Sequence, residues 1–234
     1  MIVAYAADIN LYDYLQPAIA SLLAHNPEVE EIHIFLKERK NMQAYGLTDK
    51  RIIFHPFKDT FHFISTLGPY ADYRFGLMTF SRLALPTILE DKSRVLYLDV
   101  DTLIRGNLSE FYNIDLDGYA VAGVKEPNKS KNDYIYLNAG VLLLNLDYIR
   151  DSGLWKEWLT MANEGPMLRD GDQDIINNTC QGRILTVDSE YNSNPYTFGS
   201  KNPIIEHGTP VKPWNPKSKF FDEFNFYRQQ KGQN

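Results

Sequence analysis

One cysteine, Cys180, stands in the 234 residues. It excludes an intramolecular disulfide framework and a cysteine-only metal cage, and its expected role is a buried thiol. No run of about 18 apolar residues occurs, so no membrane span is expected. The first ten residues, MIVAYAADIN, have neither a basic start nor a long apolar stretch. They read as a core strand rather than a signal peptide, and the expected location is the cytoplasm. Positive charge is not in excess either: 24 Lys and Arg against 30 Asp and Glu leave a formal charge of −6. That disfavours non-specific binding to nucleic acid or to an anionic membrane. Repeats, low-complexity tracts and interdomain linkers are missing, and the length suits one α/β domain with a single core.

Short apolar runs alternate with amphipathic stretches. Ile2 to Ala6, Glu31 to Leu36, Arg51 to Phe54 and Arg94 to Leu98 read as strands. Leu15, Ile19, Leu22 and Leu23 mark a helix between the first two, ended by Asn26-Pro27. A second helix is expected from about Asp72 to Leu89, with Pro86 kinking it or ending its regular part. Further on, strands are expected at Tyr119 to Val124, Leu137 to Leu144 and Ile184 to Val187, and helices at Leu146 to Asn163 and Gln173 to Thr179. From Asp188 turn residues dominate and predict a long wrap over the domain. Strands separated by helices imply a mostly parallel, Rossmann-like sheet covered on both faces, with ligands beyond the carboxyl ends of its strands.

That rule directs attention to Val95-Leu96-Tyr97-Leu98-Asp99-Val100-Asp101, an apolar strand that delivers two carboxylates one residue apart. Alternation along a strand would put both on one side, facing one hard cation. The competing reading is a strand ending in two solvated or helix-capping aspartates. Two metal–phosphate chemistries use such a strand. Haloacid dehalogenase-like phosphatases carry DxDxT, which Asp99-Val100-Asp101-Thr102 matches, but on the first strand of the core, whereas three strands precede it here. Nucleotide-sugar transferases carry DxD after a nucleotide-binding half, and the position favours them.

Six segments occur in order: Ala4-Tyr5-Ala6-Ala7-Asp8-Ile9-Asn10, Phe80-Ser81-Arg82-Leu83, Leu98-Asp99-Val100-Asp101, Leu137-Asn138-Ala139-Gly140 through Asn145, Asp172-Gln173-Asp174, and His207 through Lys212-Pro213-Trp214. Together they resemble glycosyltransferase family 8, which includes glycogenin and bacterial galactosyl- and glucosyltransferases. The resemblance runs from residue 1 to about 216. It implies a GT-A fold, with residues 1–101 as the nucleotide-binding half, 102–216 as the sugar and acceptor half and 217–234 as a tail. It also implies a UDP-sugar donor, a glycan or glycoconjugate acceptor, Mn²⁺ with Mg²⁺ as the substitute, and retention of anomeric configuration. A non-catalytic UDP-sugar-binding subunit stays open as an alternative.

Carried over by position, the Ala6 backbone and Asp8 would hold uracil and Asn10 the ribose; Asp8 can also cap the following helix. Arg82 would lie near the diphosphate and donor sugar, with a surface ion pair as its competing role. Asp99 and Asp101 would hold the metal, the Val100 backbone would meet the ribose, and Asn138 and Ala139 would line the sugar pocket. Asp172 would hydrogen-bond sugar hydroxyls, or cap a helix, and Gln173 would face the anomeric carbon opposite UDP. Gly208 and Lys212 belong to the loop on the departing diphosphate, where a lysine suits phosphate.

One departure stands out. The family's metal-binding histidine usually lies six residues before the lysine of Lys-Pro-Trp; here His207 lies five before Lys212, and Glu206 takes the six-residue position. A third carboxylate would offset metal charge where diphosphate needs it, so His207 is the expected third ligand and Glu206 is expected to point away. The remaining histidines, His25, His33, His55 and His62, share no ligand spacing and read as surface or second-layer residues. The aromatic stretch from Phe54 to Phe75 reads equally as an acceptor wall or as a surface loop. Phe220, Phe221, Phe224 and Tyr227 lie at helical spacing, and this tail is expected to dock on its own domain.

Overall fold

Strand β1 (Ile2–Ala7) is buried along its whole length, and its alternating side chains feed two different cores. Ile2, Ala4 and Ala6 enter one face of the sheet, and Val3, Tyr5 and Ala7 the other, as the two-residue period of a strand requires. The computed structural model describes residues 1–37, 41–56 and 77–230. It contains β2 (Glu31–Leu36), β3 (Ile52–Pro56), β4 (Arg94–Leu98), β5 (Thr102–Ile104), β6 (Val121–Lys125), β7 (Leu137–Asn145), β8 (Ile184–Thr186) and β9 (Ile205–His207). Among the described residues, seven strands form one sheet in the order β3-β2-β1-β4-β7-β6-β8. Neighbours pair in parallel except β7, which runs antiparallel to both β4 and β6. A separate antiparallel ribbon joins β5 to β9.

Helices cover both faces. On one side lie α2 (Ser81–Ile88), α4 (Leu146–Asp151), α5 (Leu154–Glu164) and α6 (Asp172–Thr179), which bury Leu83, Ile149, Trp158 and Ile176 against the sheet. On the other, α1 (Tyr12–His25) and α3 (Ser109–Tyr112) supply Leu15, Ile19, Leu22 and Phe111. This is the doubly covered, mostly parallel sheet of the GT-A fold. The tail helix α7 (Phe221–Gln229) packs Phe224 and Tyr227 beside Leu103, Tyr14 and Trp214. Tyr14 and Trp214 stack with ring centroids 3.8 Å apart, which pins the chain just after Lys212 to α1.

Several expectations need correction. The helix expected over Leu146 to Asn163 is two helices, because Gly153 adopts a φ of 73° and ends the first one. Pro86 does not end α2 where it stands; the helix runs two residues further, and Arg150 donates to the Pro86 carbonyl. The wrap after Asp188 contributes a 3-10 turn (Ser189–Asn192) and β9, neither of which stood out among the turn residues. His33 is buried and bonded to Glu31 at 2.9 Å and to His55 at 2.8 Å. Cys180 is buried, as expected. Residues 57–76, which carry His62, most of the aromatic stretch and the start of the helix expected from Asp72, lie outside the described residues. No helix among the described residues is long and apolar enough to cross a membrane.

Candidate metal and donor site

Strand β4 ends at Leu98, so Asp99 and Asp101 stand in a turn rather than on the strand itself. The Thr102 amide and hydroxyl both donate to the Asp99 carbonyl, at 3.1 and 2.8 Å, and close that turn. The convergence of the two carboxylates therefore comes from the turn and not from strand alternation. Antiparallel pairing with β5 sets Thr102 opposite His207 and Leu103 opposite Glu206, which fixes the register of β9. His207 Nε2 lies 3.4 Å from Asp101 and 3.8 Å from Asp99. One ligand atom from each of the three residues falls within 4.8 Å of the others.

Glu206, one residue away in a strand, points the other way. It is buried against Arg105 at 3.0 Å, and Arg105 also holds Glu223 of the tail helix. Burial raises the Glu206 carboxyl above its ordinary pKa, only partly opposed by Lys219 and Arg105. Gly140 on β7 makes room for the His207 ring: a Cβ there would come within 2.1 Å of His207 Cε1. Gly208 donates its amide to the Asp101 carbonyl at 2.8 Å, and a Cβ on it would strike the Pro213 ring at 2.3 Å. The loop from His207 to Trp214 thus rests on two close backbone approaches.

The charges are closely matched. Burial works to raise the Asp101 carboxyl, but the facing His207 and Lys212 outweigh it and hold it below the usual carboxylate range. Lys212 Nζ sits 2.5 Å from Asp101. Burial lowers the Lys212 pKa and Asp101 more than reverses this, so the ammonium is held. Arg82, buried, meets protein acceptors with all three of its nitrogens. Its Nε meets Asp172 at 2.9 Å and the Thr79 carbonyl at 3.0 Å, Nη2 meets Asp99 at 2.9 Å and the Tyr97 hydroxyl at 3.2 Å, and Nη1 donates to the Ala139 carbonyl. Asp172 is nonetheless pushed up to about 6, because its burial exceeds what an arginine shared with Asp99 returns.

These groups face one cleft of about 790 Å³. Ala6, Asp8 and Asn10 line it from the end of β1; Arg82, Asp99, Val100 and Asp101 from the centre; and Asn138, Ala139, Asp172 and Gln173 from the far wall, with His207 and Lys212 on the closing loop. Gly208 does not line it and supports it from behind. Asp8 Oδ1 accepts from the Asn10 amide at 2.9 Å and holds the turn; α1 starts after Leu11 with no side-chain cap, so the capping role considered for Asp8 is not adopted. Asp172 opens α6 but turns inward to Arg82, and Gly171 occupies the cap position. Gln173 Oε1 accepts from the Ala139 amide at 2.8 Å, and its Nε2 donates to the Tyr136 hydroxyl at 3.2 Å.

Sequence reasoning did not single out Glu126, Lys129, Asn192 or Tyr136. Glu126 and Lys129 line the cleft and pair at 3.0 Å. Apart from that pair, their partners are distant in sequence: Asn138 for Glu126, Asp170 for Lys129, Asn138 for Asn192 and Asp174 for Tyr136.

The family model Glycosyl transferase family 8 matches residues 2–218. Glycosyltransferase GlyB of Streptococcus pneumoniae is 28% identical over 255 aligned positions, covering 96% of this chain and 61% of its own length. Lipopolysaccharide 1,2-glucosyltransferase of Escherichia coli is 24% identical, with 85% and 63% covered. The chain thus spans about three-fifths of the length of these relatives. Among solved structures, galactosyltransferase LgtC in complex with donor and acceptor sugar analogs superposes with a TM-score of 0.81 at 23% identity, covering 99% of this chain and 96% of that one. The family match leaves the phosphatase reading of Asp99-Val100-Asp101-Thr102 without support. A doubly covered sheet, a carboxylate pair in the turn after its fourth strand and a family match over nearly the whole length lead to one conclusion: the chain belongs to glycosyl transferase family 8.

Proposed function

We propose that the protein transfers a hexose, glucose or galactose, from a UDP-sugar to a saccharide or glycoconjugate acceptor, with retention of anomeric configuration and with Mn²⁺ as its metal. The observation that carries this reading is the convergence of Asp99, Asp101 and His207 in a cleft that also presents Asp8 and Asn10 on one side and Asp172 and Gln173 on the other. Two carboxylates and an imidazole form a donor set that suits Mn²⁺, and Mg²⁺ is the next choice. The fit also rests on Gly140, whose missing side chain is the space the His207 ring occupies. Once bound, such a metal supplies Lewis-acid charge to a departing diphosphate.

The protein's own groups divide the remaining work. Ala6, Asp8 and Asn10 bind the nucleoside, with the Val100 backbone against the ribose. Lys212 turns its ammonium from Asp101 to the diphosphate, where fixed positive charge favours the leaving group. Arg82 acts within the protein, orienting Asp99 toward the metal and Asp172 toward the sugar hydroxyls, since its Nε and Nη2 are already paired with these two carboxylates. Asn138 and Ala139 border the sugar. Gln173 is a neutral amide held by Ala139 and Tyr136, a poor nucleophile, which supports attack by the acceptor on the face the diphosphate leaves. The sugar analogs in the LgtC complex and the glucosyltransferase relative support a hexose donor.

Calorimetry with UDP, with and without Mn²⁺, combined with a donor-hydrolysis assay, tests the reading. Mn²⁺-dependent UDP binding with hydrolysis of a UDP-hexose is expected. Tight UDP binding without turnover would instead mark a binding subunit, and no UDP binding would remove the proposal.

A further inference from the structure

A chain of four buried polar side chains, three of them in the cleft wall, ends on His207. Glu126, Asn138, Asn192 and His207 each expose 6% or less of their surface. Asn138 Nδ2 donates to Glu126 at 2.7 Å, Asn192 Nδ2 donates to Asn138 Oδ1 at 3.0 Å, and Asn192 Oδ1 lies 2.9 Å from His207 Nδ1.

The direction of this chain follows from its anchors. A carboxylate only accepts, so Glu126 demands the amide nitrogen of Asn138. A backbone N–H only donates, and the Gly140 amide, 3.2 Å away, demands the Asn138 oxygen. Both ends of Asn138 are therefore set by groups whose polarity cannot change. Its oxygen in turn requires a donor from Asn192, which turns the Asn192 oxygen toward His207. The Asn194 amide, donating to that same oxygen at 2.9 Å, favours the same orientation. An imidazole nitrogen facing a carbonyl oxygen must carry the proton, so Nδ1 is the N–H and the lone pair is on Nε2. Nε2 is the nitrogen that faces Asp99 and Asp101.

We infer that Asn192, polarised through Asn138 by Glu126, is a positioning residue that locks His207 in the Nδ1–H tautomer and so reserves Nε2 for a divalent cation. This rests on the metal reading of the Asp99, Asp101 and His207 cluster. A hydrogen bond to the far nitrogen of a metal-binding histidine fixes its tautomer and orientation, and its loss weakens metal affinity by about 10- to 100-fold. Asn138 also links the sugar wall of the cleft to the metal ligand, since one amide serves both.

Two readouts test the inference. The first is ¹⁵N NMR of the His207 ring in metal-free protein at a pH alkaline enough to keep the imidazole neutral. Protonated Nδ1 and unprotonated Nε2 are expected; the Nε2–H form in the unaltered protein would overturn the inference. The second is Mn²⁺ affinity by EPR titration. Asn192→Leu is expected to lose the tautomer preference and bind Mn²⁺ about 10- to 100-fold more weakly. Asn192→Asp keeps an acceptor on Nδ1 and is expected to retain both tautomer and affinity, with its loss confined to the KM for the donor through Asn138. A folded Asn192→Leu with unchanged Mn²⁺ affinity, or an Asn192→Asp as impaired in metal binding as Asn192→Leu, overturns the inference. If Asn192→Leu does not fold, the unaltered protein and Asn192→Asp still decide. The Nδ1–H form in a protein that binds no Mn²⁺ would instead refute the metal site while leaving the tautomer assignment standing, so the two failures are distinguishable.

Discussion

Adding one methyl group at Gly140 should damage the metal site without removing any ligand. In Gly140→Ala the new Cβ would lie 2.1 Å from His207 Cε1 and 2.8 Å from each ring nitrogen. Carbon atoms meet comfortably at about 3.5 Å, so the ring must retreat by about 1.4 Å. His207 is buried, and its Nδ1 is tied to Asn192 at 2.9 Å, so a retreat of that size stretches or breaks the bond. Metal sites tolerate ligand displacements of about 0.2 Å, and the imidazole would no longer reach. Loss of the well-placed histidine should weaken Mn²⁺ affinity by about 10- to 100-fold, equivalent to about 1.4 to 2.7 kcal/mol. Overpacking a core typically costs about 1–3 kcal/mol of stability, and the low end applies because the group that yields is a side chain. The assay pairs thermal unfolding with an Mn²⁺ titration of donor hydrolysis. A folded Gly140→Ala protein with the unaltered Mn²⁺ requirement would refute the reasoning.

Four further outcomes are expected. His207→Ala should weaken Mn²⁺ activation far more than Glu206→Ala, whose loss should instead appear in thermal stability because it leaves Arg105 short of a partner; the reverse ranking in an Mn²⁺ titration would move the ligand to Glu206. Donor hydrolysis should fall as pH drops through about 6, because Asp172 is pushed up to about 6 by burial and must be ionised to hold Arg82; Asp172→Asn should lower the rate and flatten that limb in a pH–rate profile. The same shift has the opposite sign for stability: the native state holds the Asp172 proton to higher pH than the unfolded chain, so this group's contribution declines as pH rises from about 4 to about 6, which pH-dependent denaturation measures. Gly208→Ala should destabilise more than Gly140→Ala, since its Cβ meets the rigid Pro213 ring and backbone, and differential melting of the two variants checks this.

The sequence carried the carboxylate pair plainly, because an apolar strand ending in Asp-Val-Asp is a local signal. It could not say why the two side chains converge: that depends on Thr102 closing a turn on the Asp99 carbonyl, which no alternation rule contains. Charge alone favoured His207 over Glu206 as the ligand, whereas the orientation of the two side chains follows from pairing of β9 with β5, about a hundred residues apart in the chain. Strand β7 was legible as a buried apolar run, but its antiparallel direction was not, since a strand buried on both faces looks the same either way. Glu126 and Asn192 were invisible for a different reason. Amides and a lone carboxylate have no diagnostic spacing, and their roles exist only once Asn138 stands between them. Arg82 shows the converse: its place in the motif was read, but its pairing with Asp99, Asp172 and the Ala139 carbonyl was not.

The most direct test of the central claim is UDP release from a panel of UDP-sugars, measured for the unaltered protein and for Asp101→Asn, with and without Mn²⁺. The account predicts Mn²⁺-dependent release from a UDP-hexose by the unaltered protein and none above background by a folded Asp101→Asn. Release that is independent of Mn²⁺, or equal in the two proteins, would contradict it.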